Sequence, residues 1–330
     1  EFKDVPADGK WYRTDVVDDP RGKDDGEIRL FPDGAGGMVR NYKSGGDLNI
    51  FFVDDGRELT PDERQERKKR VEVEKQKASE ELEKMHREAS IKAQEIWKNA
   101  TPAKDHPYLI RKGVKPLGLK VGGERLIVPM YTADGKLASL QFIWDTEKRF
   151  LPCGQKKGCF FLIGESPVNR LCVSEGYATG ASIHEATGFP VVVAFDAGNL
   201  KPVCEALRRK YPDVRLIICA DDDHKTEGNP GLTKATEAAK AVGGWLAVPD
   251  FGEGRPEKAT DFNDLANIRS SNAVRECVCR AETQPCPRRV ELLTGSSIKP
   301  ENIRWLWCDW LAQGKLHILG GAPGCGKTTL

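Results

Sequence analysis

Asp221-Asp222-Asp223 stand at the end of the apolar run Val214-Arg215-Leu216-Ile217-Ile218-Cys219-Ala220, and Glu175-Gly176 ends a second such run, Leu171-Cys172-Val173-Ser174. Carboxylates gathered at the carboxyl ends of two neighbouring strands repel one another, and a cation neutralises them. Oxygen-rich sites of this kind suit magnesium or manganese, which keep several waters and bridge to substrate phosphates. The chemistry these residues predict is metal-assisted handling of nucleotides or nucleic acid.

A second phosphate signature lies at the far end. Lys315 to Gly320 has strand character, and Gly321-Ala322-Pro323-Gly324-Cys325-Gly326-Lys327-Thr328 follows it. This fits the pattern G-x-x-x-x-G-K-[ST]. Backbone N–H groups around Gly321, Gly324 and Gly326 would cradle phosphates, Lys327 would reach them as a point charge, and the Thr328 hydroxyl would hold magnesium. The chain starts at Glu1 and stops at Leu330, two residues after Thr328. It is therefore expected to be a piece of a longer protein, its P-loop lacking the helix and the second acid that ATP hydrolysis requires.

The elements that must position the acids are legible between residues 169 and 250. Strand-like runs at 171–174, 191–195, 214–220 and 245–248 alternate with helical stretches at about 178–187, 201–210 and 231–242. That alternation predicts a parallel sheet with crossover helices, an α/β domain. Ligands of such sheets sit outside the carboxyl ends of the strands, where Glu175, Asp196, Asp221 and Asp223 fall. Asp261 and Asp264 follow the last strand and serve either as helix caps or as supporting acids.

Upstream, Leu126 to Tyr131 and Leu137 to Trp144 flank an Asp134-Gly135 turn, the pattern of a β-hairpin, and β character is expected throughout 107–165. Lys148, Arg149, Lys156 and Lys157 form the strongest basic concentration next to the acids. They are candidates for triphosphate or template contacts, with a solvated surface loop as the plainer alternative. Thr60-Pro61-Asp62-Glu63 starts a long mixed-charge helix, of which Ala78, Leu82, Met85, Ala89, Ala93 and Ile96 make one apolar face. Residues 1–56 carry short strands separated by turns. Their aromatics, mixed with Arg and Lys, could stack on single-stranded nucleic acid or simply fill a small β core.

With 51 basic and 50 acidic residues among 330, the net charge of +1 attracts nucleic acid nowhere globally, so any binding surface is a local patch. None of the ten cysteines precedes Cys153, and several lie in apolar runs, which points to a reducing cytoplasm rather than to disulfides. Cys277, Cys279 and Cys286 lack a second well-spaced pair, so zinc is not expected. No apolar run reaches the roughly 18 residues of a membrane span.

Val173-Ser174-Glu175-Gly176 followed by Asp221-Asp222-Asp223 resembles the Toprim domain of primases, topoisomerases and related nucleases. With Asn229-Pro230-Gly231, Thr260 to Leu265 and the downstream P-loop, the chain is similar to the primase-helicases of plasmids and prophages. The resemblance implies that Glu175, Asp221 and Asp223 are catalytic and metal-binding. It also implies a DNA primase, a nucleotidyltransferase that makes short RNA primers on single-stranded DNA from nucleoside triphosphates, fused to a C-terminal helicase domain in the primosome. A Toprim nuclease and a non-catalytic DNA-binding adaptor are the alternatives. Six parts are expected: a β-rich module at 1–56, a connecting helix at 57–100, a β-rich subdomain at 101–168, the Toprim domain at 169–268, a linker at 269–300 and the start of a P-loop ATPase domain at 301–330. Primases of this kind often begin with a cysteine-based zinc module, and residues 1–152 hold no Cys.

Overall fold

The computed structural model describes residues 5–16, 24–41, 48–53, 56, 59–283, 305–307 and 311–312. Four short strands, β1 (Tyr12–Thr14), β2 (Gly26–Leu30), β3 (Gly36–Asn41) and β4 (Leu48–Phe52), pair antiparallel in chain order. Phe31 and Met38 bury against Ala78 of the helix that follows, with Trp11, Ile50 and Phe52 packed around them. The aromatic faces are taken up by the chain's own arginines: Arg70, Arg67 and Arg40 lie 4.4, 4.9 and 4.6 Å from the ring centroids of Phe31, Phe52 and Trp11.

That helix, α1 (Pro61–Asn99), begins at a capping box in which the Thr60 hydroxyl accepts from the Glu63 N–H and the Glu63 carboxylate accepts from the Thr60 N–H. Its length reflects a run of good helix formers without an interior Gly or Pro. Ala78, Ala89, Ser90 and Ala93 are buried, and most of the remaining surface is solvated. Leu82, Met85 and Ile96, expected on the apolar face, are only half-buried.

A second antiparallel sheet follows, in the order β5 (Thr101–Pro102), β6 (Lys120–Gly122), β7 (Arg125–Tyr131), β8 (Leu137–Ile143), β9 (Lys148–Phe150). Ala89 and Ala93 of α1 pack on Ile127, Leu140 and Phe142 of this sheet. The expectation of β structure throughout 107–165 is corrected at one point: α2 (Pro107–Lys112) is a short helix. His106 caps it by accepting from the Tyr108 N–H, and Gly113 ends it at φ +64°, a left-handed conformation that costs glycine little.

The third sheet runs β10 (Phe161–Ile163), β12 (Val191–Val193), β11 (Arg170–Ser174), β13 (Arg215–Cys219), β14 (Trp245–Ala247), β15 (Glu282–Thr283). The four central strands are parallel and the two edges antiparallel, so the sheet is mixed at its margins. Leu171, Val173, Leu216 and Ile218 face one core, and Cys172, Ile217 and Cys219 face the other, which is why these strands read as unbroken apolar runs. The connecting helices are α3 (Tyr177–Thr187), α4 (Ala197–Lys210) and α5 (Pro230–Val242).

The helix expected at 201–210 starts four residues earlier, at an Asp196 N-cap that accepts from the Asn199 N–H at 3.0 Å. The stretch expected to be a tether from 269 is also ordered at its start. After α6 (Phe262–Ile268) comes α7 (Ser271–Cys279), which buries Ala273, Val274, Cys277 and Val278, and then β15, which extends the sheet. Residues from Pro287 onward form a separate unit, in which β16 (Trp305–Trp307) and β17 (Leu311–Ala312) pair antiparallel. The P-loop residues Gly321, Gly324, Gly326, Lys327 and Thr328 lie outside the described residues. Among the described residues no helix is long and apolar enough to cross a membrane.

Candidate active site

Parallel strands β11 and β13 are neighbours, and their following helices lie on opposite faces of the sheet, α3 in the core with Cys172, Ile217 and Cys219 and α5 in the core with Leu171, Val173, Leu216 and Ile218. The chain therefore parts at their carboxyl ends, the place where open α/β sheets bind ligands. Glu175 leaves β11 there, and Asp221 and Asp223 leave β13.

These acids interact. Desolvation, followed by the charges of Asp196 and Asp223, raises the Glu175 pKa to about 7. Desolvation also raises Asp221 well above the usual carboxylate range, aided by Glu175, Asp261, Asp223 and Asp264. Asp221 Oδ1 is buried and has no hydrogen-bond partner. Asp223 Oδ2 accepts from the Gly231 N–H at 3.1 Å, and the Asp223 N–H donates to Asn229 Oδ1 at 2.8 Å.

Glu175 is also held through its backbone. Its carbonyl accepts from the Phe195 N–H at 2.8 Å, and Phe195 adopts φ +76°, a strained conformation for an aromatic residue. The Phe195 ring meets Phe150 of β9 edge-on at 6.3 Å, tying the site to the antiparallel sheet.

Of the two parts expected for Asp261 and Asp264, the structure shows helix capping. Asp261 caps α6 by accepting from the Asp264 N–H at 2.8 Å, and Asp264 Oδ2 accepts from the Thr260 N–H at 3.0 Å. Both are also close enough to Asp221 to raise its pKa. Asp261 is itself raised, by desolvation first and by Asp264 second.

The basic candidates divide. Lys148 interacts with Asp261, Glu175 and Asp221; it is exposed as a residue, yet desolvation and then Lys112 lower its pKa. Arg149, the next residue along β9, does not join it. Its guanidinium pairs with Glu147 at 2.6 Å and lies 6.0 Å from the Trp144 centroid, since successive side chains of a strand face opposite ways. Lys156 pairs with Asp196 at 2.8 Å, and Lys157 is exposed on the turn beyond it.

Two groups the sequence reasoning passed over also belong here. Lys112 ends α2 and stands 3.8 Å from Asp264, because the Asn263 amide donates to the Lys112 carbonyl at 2.7 Å and docks α2 on α6. Tyr108 is buried between Arg111 and Lys148, each 5.6 Å from its ring centroid, and desolvation followed by Asp261 raises its pKa to about 12. The only sequence signal for either was the helix start at His106-Pro107.

Residues 170–272 match the family model described as Toprim domain. The chain carries a Toprim domain. The Toprim match runs from β11 to the first residues of α7 and includes Glu175, Asp196, Asp221, Asp223, Asp261 and Asp264. Residues 282–330 match the model described as AAA domain. Two relatives, each named DNA primase TraC from Escherichia coli, are 35% identical over 261 residues and 34% identical over 275 residues. These alignments cover 75% and 79% of this chain but only 24% and 19% of the relatives, so the chain spans a quarter or less of their length. Among solved structures, the primase fragment of the bacteriophage T7 primase-helicase protein is similar at 16% identity and TM-score 0.41, covering 55% of this chain and 79% of that one. The RNA polymerase domain of the Mycobacterium tuberculosis primase DnaG is similar at 20% identity and TM-score 0.36, covering 53% and 62%.

A Toprim domain implies a divalent metal. Among the described residues no three His, Cys, Asp or Glu side chains are already grouped to hold one. Magnesium does not require that, since it retains waters and takes one or two carboxylates together with substrate phosphates. The unpartnered, buried Asp221 Oδ1 fits such a cation, as do the mutually repelling acids around it.

Proposed function

We propose that the chain is the catalytic part of a DNA primase, which joins ribonucleotides on single-stranded DNA by nucleotidyl transfer. The observation that carries this is the meeting of Glu175, Asp221 and Asp223 with Lys148 and Lys112 at the carboxyl ends of β11 and β13. The names of the two primase relatives support it.

In the reaction a primer 3′-hydroxyl attacks the α-phosphate of a nucleoside triphosphate, and pyrophosphate leaves. Asp221 and Asp223 would hold magnesium or manganese, with Glu175 completing the set, and the ion would neutralise charge on the phosphoryl oxygens. Where it is not a ligand, Glu175 would instead take the hydroxyl proton. Lys148 and Lys112 are cations beside the acids and would face the triphosphate; their attraction to it offsets repulsion by the carboxylates. Lys156, paired with Asp196, and the exposed Lys157 would contact the triphosphate or the template.

The AAA match supports a fused ATP-driven helicase as partner in a plasmid or prophage replication protein. The free thiols at Cys153, Cys159, Cys172, Cys204, Cys219, Cys277 and Cys279 suit a reducing cytoplasm, where template and triphosphates are found.

The test is incubation with single-stranded DNA, labelled ribonucleoside triphosphates and magnesium or manganese. Short labelled oligomers, lost in Asp221→Asn and Asp223→Asn, are expected. Strand cleavage without nucleotides would instead indicate a nuclease, and neither activity would leave a DNA-binding adaptor.

A further inference from the structure

We propose that Arg255 is a positioning residue of the acidic site, fixing Asp221 and Asp223 through the aspartate between them. The proposal rests on the metal-binding function argued above and assigns the device that orients it. Both carboxylate oxygens of Asp222 are engaged by other side chains. Its Oδ1 accepts from the Asn229 amide at 2.6 Å, and its Oδ2 accepts from Arg255 Nη1. Its carbonyl accepts from Arg255 Nη2 at 2.7 Å, and its N–H donates to the Thr260 carbonyl at 2.8 Å. The middle acid is thus an anchor, and its two neighbours differ from it: Asp221 keeps an unpartnered buried oxygen.

Arg255 reaches Asp222 across 33 residues of sequence. Its own orientation is fixed on the other side by the Ala259 carbonyl, which accepts from Nε at 2.9 Å and Nη2 at 2.6 Å, and by Phe251, whose ring centroid lies 4.6 Å from the guanidinium carbon. A planar fork with five donors can bind a carboxylate and two carbonyls together, which an ammonium cannot do. The same link joins the two acidic segments. Asp222 N–H holds the Thr260 carbonyl while Thr260 N–H donates to Asp264, so the Asp221–Asp223 turn and the Asp261–Asp264 cap are set against one another.

The test measures Mn²⁺ binding to the folded chain by electron paramagnetic resonance, with thermal melting of the metal-free variants as the check on folding. Arg255→Ala should weaken Mn²⁺ binding about tenfold, the lower range for groups that orient metal ligands. Asp222→Asn should do the same, and the double variant should be no weaker than either alone, because both break one link. Arg255→Lys, which keeps charge without the fork, should fall between, and it serves as the test if Arg255→Ala melts early. Parent-like binding in Arg255→Lys and Arg255→Ala, or losses that multiply in the double variant, would overturn the proposal. Asp221→Asn separates the two levels. If it loses Mn²⁺ while the Arg255 variants do not, only the positioning role fails; if it binds like the parent, the metal site itself fails and the proposal with it.

Discussion

Lys156 meets Asp196 at the joint between the antiparallel sheet and the Toprim sheet, its Nζ 2.8 Å from Oδ2, and the same aspartate caps α4. The lysine side chain also lies over Phe150, 5.4 Å from its centroid. One basic residue therefore partly offsets an acid that acts on Glu175, since Asp196 is the strongest charge raising the Glu175 pKa.

Removing that partner should show in the pH profile. Lys156→Ala leaves Asp196 unpaired beside Glu175, so the Glu175 pKa rises further and the acid limb of primer synthesis moves to higher pH. The profile of kcat/KM against pH for parent and variant measures this. A weakened activity with an unmoved limb would mean that Lys156 serves only as a phosphate or template contact.

Metal-free stability should depend on pH in a defined direction. The folded Glu175 pKa of about 7 lies above its ordinary value of 4.5, so the folded state holds the proton more tightly than the unfolded one. Its stabilising effect is complete below about pH 4.5 and is lost as pH rises through 7. Asp221, raised in the same sense, adds to the trend. The melting temperature in chelator should therefore fall from pH 5 to pH 8, with the slope reduced in Glu175→Gln. Magnesium should restore more stability at pH 8 than at pH 5.

The two neighbours on β9 should behave differently. Lys148→Ala removes a cation that interacts with Glu175, Asp221 and Asp261, and should lower kcat/KM for nucleotide addition by about tenfold or more, the scale of one well-placed charge. Arg149→Ala lies on the opposite face, paired with Glu147, and should stay within about twofold of the parent. Equal losses in the two variants would show that both reach the substrate.

Gly231 should be intolerant although it carries no functional group. A β-carbon there would stand 2.5 Å from the Asp221 carbonyl oxygen and 2.8 Å from Asp223 Oδ2. Gly231→Ala should displace Asp223 and weaken Mn²⁺ binding and primer synthesis together. The loss in melting temperature should be small, because only the first turn of α5 needs to shift. Activity like the parent's would mean that the Asp223 carboxylate is free to move without consequence.

What the sequence disclosed, and what it hid, follows from range. Glu175, Asp221 and Asp223 were legible because each ends an apolar run buried on both faces, and the acid after such a run is a local signal. Arg255 was not legible, because its partner is 33 residues away and nothing local distinguishes it from a loop arginine. Helix α7 was missed for a chemical reason: Cys277 was weighed as a thiol, whereas with Ala273, Val274 and Val278 it acts as a small hydrophobe on a buried face. Asp196 was recognised as a strand-end acid, but its capping role, and with it the true start of α4, was obscured by Pro202 inside the helix. Lys148 and Arg149 were grouped by adjacency, which in a strand means separation.

Helix α1 acts as a strut. Ala78 is seated in the small N-terminal sheet and Ala89 in the larger antiparallel one, eleven positions along the same unbroken helix. At 1.5 Å per residue the two seats are about 16 Å apart, and neither sheet can turn about the helix axis without the other. Between these seats the chain converts length into angle. Two residues inserted there would swing the small sheet through about 200°, whereas seven would advance it about 10 Å with its heading nearly unchanged. The bearing of the N-terminal sheet is thus written into the residue count between Ala78 and Ala89.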